Sequence, residues 1–210
     1  MGSATVKALA EKGFTVFALD KKVGEGGERI IPTEADITDE ESVASAVWRV
    51  REYTDSLFAI IHFAGVYMLG SMVEMSGERF ERIFRINLFG AARVNRCFMP
   101  LLGEGSRIVM TTSELAPLAP LPFTGIYAVS KSALDKYAYS LRMELQLLGI
   151  GCRSCVPGRS GQICSESRPT SLSVSAAKRG STNVTPRASV RSSTACRRKA
   201  QRPKRSPIRC

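Results

Sequence analysis

Between residues 3 and 148 the chain alternates between two hydrophobic periods, and that alternation limits the folds open to it. Three runs are apolar, β-rich and too short for helices: FTVFALD at 14–20, LFAIIHF at 57–63 and SRIVMTTS at 106–113. A shorter strand-like run, RIIP, follows a Gly-rich loop within 24–35. Helical spacing fills the intervals. Residues 3–12 end at Gly13, expected as a left-handed cap. A second helix runs from Thr38, as N-cap with Glu41 at the capping-box position, to about Tyr53. Two longer ones span about Gly77 to Leu102 and 125–148, with a Pro-rich loop at 114–124. LFAIIHF and SRIVMTTS are continuously apolar, as strands covered on both faces are. Short strands alternating with helices predict an α/β domain, a parallel sheet covered by helices.

The pattern stops near Ile150, and composition changes at the same place. All 15 aromatics precede residue 151, while five of six cysteines follow it: Cys152, Cys155, Cys164, Cys196 and Cys210. Residues 151–210 carry 14 Lys or Arg and one acid, Glu166, so the whole net charge of +11 belongs to them. Residues 1–150 hold the remaining 16 bases and 18 acids, a net of −2. With seven Val, Ile, Leu or Phe, the last 60 residues are too poor to bury a core of their own. The expected division is a domain over 1–150 and a basic, Ser/Arg-rich, disordered tail over 151–210.

No apolar stretch reaches the ~18 residues of a membrane span, and the start lacks the charged and apolar regions of a secretory signal. One cysteine in the body, Cys97, fits a reducing cytosol, so a cytoplasmic location is expected. Cys152 and Cys155 form a single CxxC with no second pair and no tail histidine, so no metal site is expected. Runs such as RRKAQRPKRSPIR can bind phosphates in a salt-dependent way. The tail has no aromatics for base stacking, so nucleic-acid binding is the disfavoured reading.

Chemistry concentrates where strands end and helices begin. Tyr127 and Lys131 sit four apart in YAVSK and share one helix face. A phenol titrates near pH 10 unaided, and a neighbouring ammonium favours its ionised form, as general acid–base work needs. Ser113 ends SRIVMTTS, at the carboxyl edge where open α/β sheets bind ligands. Asn87 lies mid-helix in INLFG, where an amide is a poor helix former. Ala64-Gly65 follows LFAIIHF, and a glycine there admits a ligand close to the backbone. Asp20 ends a strand and can accept from a ribose diol; Asp36, in ADITDEES, is similarly placed.

These motifs, GSATVKALAEKG, FALD, ADITD, FAGVY, INLFG, the Ser113 strand and YAVSK, occur in the order and spacing of one family. Over roughly 2–150 the chain resembles the short-chain dehydrogenase/reductase (SDR) family. The resemblance implies a Rossmann-type doubly wound parallel sheet, NAD or NADP as cofactor, and hydride transfer to or from a carbonyl or secondary alcohol. It implies Tyr127 as acid–base residue, Ser113 polarising the substrate carbonyl, Lys131 on the nicotinamide ribose, and Asn87 holding a proton-relay water. It places Asp36 and Ile37 around the adenine, Ala64 and Gly65 beside the adenosine ribose, and Gly2 as the last glycine of the phosphate turn. An acid at the end of the second family strand, here Asp20, repels a 2′-phosphate and favours NAD. Lys21 and Lys22 argue for NADP as the alternative. Homo-oligomers through the two long helices are implied for an intact member.

Three departures qualify the resemblance. His62-Phe63-Ala64-Gly65 stands where the family has Asn-Asn-Ala-Gly, so the one histidine is expected to be structural. The family's first strand and the rest of its TGxxxGxG turn are missing before Gly2, so the sheet is expected to be N-terminally truncated and incomplete, short of its central strand. Pro157-Gly158 keeps family spacing from Lys131, which implies cofactor contact, but its surroundings, GCRSCVPGRSGQIC, are neither strand-like nor family-like. Codons exist for that string which, read two bases along, spell LPVVRPGAVRTDM, a good family continuation. The tail is therefore expected to be a frameshifted translation, and the chain to bind cofactor weakly, fold marginally and turn over little. A non-catalytic remnant is the alternative to an oxidoreductase.

Overall fold

The computed structural model describes residues 1–113, 121–156 and 173–177. The elements run α1 (Gly2–Glu11), β1 (Thr15–Asp20), β2 (Ile30–Glu34), α2 (Glu40–Arg51), β3 (Ala59–His62), α3 (Gly77–Phe84), α4 (Ala91–Phe98), β4 (Arg107–Thr111), α5 (Gly125–Leu145), β5 (Gly151–Cys155) and β6 (Ser173–Ala177). A π-helical turn, Arg85–Gly90, joins α3 to α4. Helix 77–102 is thus one rod with a widened middle and a 3₁₀ end at Met99–Leu101. The first helix closes as expected: Gly13 has φ +85° and donates to the Ala10 carbonyl at 2.8 Å.

One helix starts differently. Asp39, not Thr38, caps α2, accepting from the amides of Glu41 and Ser42 at 3.3 and 3.2 Å. Thr38 is instead taken by Asp36, whose Oδ1 accepts from both its amide (2.9 Å) and its hydroxyl (2.7 Å). The Asx-type turn at Asp36 moves the helix start one residue on. Ser42, rather than Glu41, closes the box, accepting from the Asp36 amide at 2.9 Å.

The sheet order is β2-β1-β6-β3-β4-β5. β1–β2, β3–β4 and β4–β5 are parallel. Alternate side chains of β1 face opposite ways. Val16 packs with Val6 of α1, whereas Phe17 and Leu19 join Val43, Val47, Val94 and Phe98 of α2 and α4. Ile108 and Met110 of β4 meet Leu134, Ala138 and Leu145 of α5. Helices therefore cover both faces, the doubly wound arrangement the motifs imply.

Two strands lie past residue 150. GCRSC, which reads as no strand, is β5: it pairs with Arg107–Thr111 and buries Cys152 against α5. The slot at the sheet's centre is filled by β6, which runs antiparallel between β1 and β3. Thr15–Leu19 pair with Ala177–Ser173 on one side and Ala59–His62 with Ala176–Ser173 on the other. The expected gap, with unpaired backbone on two strands, is thus closed by a segment of the tail. Backbone groups abandoned on both sides of such a slot would cost about 1–3 kcal/mol each, and any short extended segment supplies the donors and acceptors. The remainder of the tail, with Pro157 and Gly158, lies outside the described residues.

Candidate active site

The end of β3, the π-helical turn and the start of α5 converge at the carboxyl edge of the sheet. Asn87 sits in that turn, 1% exposed. Its Oδ1 accepts from the Val66 amide at 2.8 Å, and its Nδ2 donates to the Val66 carbonyl and to Ser130 Oγ, both at 3.0 Å. An amide mid-helix is explained by this clamp, since π turns widen the helix where a side chain has a task outside it. Ser130 in turn donates to the Tyr127 carbonyl at 2.8 Å. The clamp therefore ties the start of α5 to the segment that follows β3.

Lys131 is 5% exposed, and its ammonium donates to the Thr111 carbonyl at the end of β4, 3.0 Å away. Burial pulls its amine down to about 8. Nζ lies 6.0 Å from the centre of the Tyr127 ring, so phenol and amine share one small volume. A Cβ at Gly65 would stand 3.4 Å from both Lys131 Nζ and Asn87 Oδ1. The glycine leaves the amine a face that a side chain would crowd. Ser113 is buried two residues beyond β4. Half-buried Tyr127 meets Tyr67 edge-to-face, ring centres 4.7 Å apart.

The second group of site residues gathers around the ends of β1 and β2. Asp20 Oδ1 accepts from the Lys22 amide at 3.1 Å. Lys21 reaches past it to Asp36, Nζ to Oδ2 2.7 Å, and Asp36 also accepts from Thr38. Those bonds hold the Asp36 carboxyl below the usual range although burial opposes them. Ile37 points inward: a Cβ at Gly90 would be 2.6 Å from its Cδ1, and its carbonyl accepts from Arg93 at 2.6 Å. Gly2 is buried in the first turn of α1, whose N-cap Met1 makes no side-chain bond.

A nicotinamide dinucleotide would meet two environments here. An amine, a phenol and a bare glycine backbone on one wall fit a ribose diol next to a nicotinamide. At the sheet's middle, where the family pattern places a strand and a phosphate turn, Ser173 starts β6 between Leu19 and His62. No described residue there forms a Gly-rich cradle.

The fold brings together Asn87, Tyr127, Lys131 and Gly65, all expected from the motifs, with Asp20 and Asp36 along the same edge. Ser130, Val66 and Tyr67 join them without having been expected. The signal for Ser130 is its place in YAVSK, three residues and so about one helical turn after Tyr127. His62 is buried away from this chemistry, its Nε2 2.7 Å from Asn95 Oδ1, and burial lowers its pKa to about 4. Among the described residues no group of three His, Cys, Asp or Glu could hold a metal.

A doubly wound sheet with a Tyr–Lys helix start, an asparagine in the preceding helix and a glycine facing both defines an α/β oxidoreductase framework. Residues 1–169 match the short chain dehydrogenase family, and the chain belongs to it. Mouse estradiol 17-beta-dehydrogenase 2 is 32% identical over 172 residues, covering 75% of this chain and 44% of its own length. A short-chain dehydrogenase/reductase from Serratia marcescens superposes with TM-score 0.68 at 25% identity, over 75% of this chain and 72% of the other. A short-chain dehydrogenase from Burkholderia cenocepacia, solved in complex with NADP, gives TM-score 0.60 at 28% identity, over 74% and 58%. The chain spans about half the length of the curated relatives it matches. Members of the family are NAD(P)-dependent oxidoreductases. No described helix is long and apolar enough to cross a membrane.

Proposed function

We propose that the protein is an NAD(P)-dependent oxidoreductase that interconverts a carbonyl compound and a secondary alcohol. The observation that carries this reading is the Tyr127–Lys131–Asn87–Gly65 cluster at the sheet's carboxyl edge. The dinucleotide, when bound, supplies or accepts the hydride. Tyr127 holds the proton: its hydroxyl donates to the substrate oxygen in reduction and takes that proton back in oxidation. Lys131 favours the ionised phenol and binds the ribose, while Ser113 polarises the substrate oxygen. Asn87 keeps the helix start in register through Val66 and Ser130, which leaves Oδ1 lone-pair capacity for a water.

NAD is the preferred dinucleotide in this reading, with NADP the alternative. The acid at Asp20 would face a 2′-phosphate, and the Lys21 ammonium is paired with Asp36. The location in this reading is the cytosol, in keeping with a single cysteine, Cys97, in residues 1–150. Assembly with a second copy would run through the two long helical segments, 77–102 and 125–148; on the second, Tyr139, Met143 and Leu147 form an exposed apolar stripe at helical spacing. The test is oxidation of NADH or NADPH with a panel of ketones by the purified chain. Tyr127→Phe should lower the rate by ~10² or more, since general acid–base groups contribute that much. A wild-type rate indistinguishable from Tyr127→Phe on every ketone would refute the assignment.

A further inference from the structure

We propose that the substrate is a bulky, apolar, ring-bearing ketone or alcohol, seated on a wall made by Tyr67, Met72 and Phe123. The inference rests on the oxidoreductase reading only for the word ketone; the wall stands on its own contacts. Three of these fasten the segment after β3 to the start of α5. The Tyr67 ring meets the Tyr127 ring edge-to-face at 4.7 Å. The Gly70 amide donates to the Phe123 carbonyl at 2.9 Å. Met72 lies so close over Gly125 that a Cβ there would be 2.6 Å from its Sδ.

The side chains so placed still present much of their surface outward. Tyr67 is 40% exposed, Met72 49% and Phe123 64%. Phe123 is the one non-glycine among the described residues with positive φ, +65°, a conformation that a bulky side chain rarely adopts. Its turn is closed by Thr124, whose amide and hydroxyl both bond the Leu121 carbonyl, and by the bond from Gly70. Strained backbone that displays an aromatic ring to solvent beside an acid–base phenol contributes little to the fold, and such strain gathers where ligands bind. None of the three side chains carries charge, and only the Tyr67 hydroxyl can hydrogen-bond, so an ionic substrate body gains little from them. An apolar ring system covers them and is drawn by the surface it removes from water. Edge-to-face contact with Tyr67 suits a planar aromatic or fused ring.

The test uses the full chain with two probe ketones, acetonaphthone and hydroxyacetone, and reads binding by saturation-transfer NMR alongside NADH- and NADPH-dependent turnover. Acetonaphthone is expected to bind at least tenfold more tightly than hydroxyacetone, and Tyr67→Ala and Phe123→Gly to weaken it tenfold or more. Phe123→Gly removes the strain, so its thermal midpoint should not fall, which separates a lost wall from a lost fold. Binding of acetonaphthone without turnover keeps the wall and defeats the oxidoreductase reading. Equal binding of the two ketones, no binding of either, or full binding by both variants overturns the wall.

Discussion

His62 shows what a single buried polar group does to this fold. Its ring is 3% exposed and bonded to Asn95, which also donates to the Tyr137 hydroxyl at 3.3 Å. Desolvation, opposed by the Asn95 bond, lowers its pKa from 6.5 to about 4. Between these values the unfolded chain binds a proton that the folded chain refuses. Stability from this source is full above pH 6.5 and is lost as pH falls through the window towards 4. The loss is of order 3 kcal/mol at most, at about 1.4 kcal/mol per pH unit. His62→Asn, which can keep a bond to Asn95, should flatten that limb. Urea midpoints measured at neutral pH and near the lower end of the window, for both proteins, check it. Equal slopes would show that the acid sensitivity lies elsewhere. A second test at this scale concerns Gly90. A methyl there would sit 2.6 Å from Ile37 Cδ1 and 3.3 Å from its Cβ. Gly90→Ala should therefore cost about 1–3 kcal/mol by overpacking, read by urea unfolding. The cost should shrink when Ile37 is shortened to Val, which removes the nearest atom.

Among the elements, β6 is paired on both sides and joins β1 to β3. A proline placed there removes an amide from a central ladder and its ring clashes with the neighbouring strand. Ser175, paired with Phe17 and Ile60, is the middle of the strand. Ser175→Pro should destabilise the chain by about 3 kcal/mol or more, whereas Ser175→Thr should be close to neutral; circular dichroism melts of the two compare them. Which elements could be read from sequence follows from what each strand buries. β1, β3 and β4 announce themselves because Phe17, Leu19, Ile60, Ile108 and Met110 must be buried. β5 and β6 do not, because GCRSC buries only Cys152, and the strand exists because β4 offers an open ladder. In the site, YAVSK and INLFG could be recognised because chemistry fixes residue types at short spacing. The clamp that unites them could not, since Asn87 reaches Ser130 across 43 residues and Val66 across 21. Nor does one-dimensional spacing reveal that the helix carrying Asn87 widens into a π turn.

At the scale of the molecule, the body is two sub-sheets: β2-β1 and β3-β4-β5 meet only through β6 in the strand order. Phe17 and Ile60 still share one apolar cluster with α2 and α4, so the two halves are joined by packing as well as by the ladder. Amide hydrogen exchange can separate these contributions. Ala59–His62 and Thr15–Leu19 should lose protection together in Ser175→Pro, while Arg107–Thr111, paired with β5, should keep it. Uniform loss across all five strands would mean that the sheet opens as one unit.

A central strand that comes last among the described ones also sets the order of events on the ribosome. Every other described strand, through Cys155, has been made before Ser173, and β1 precedes its β6 partner by more than 150 residues of synthesis. Contacts of such long sequence separation form slowly. Until they form, two strand edges face each other across an open slot, the kind of surface that pairs with other chains. The nascent protein thus carries that aggregation hazard until Ser173–Ala177 have emerged and the slot between β1 and β3 can close.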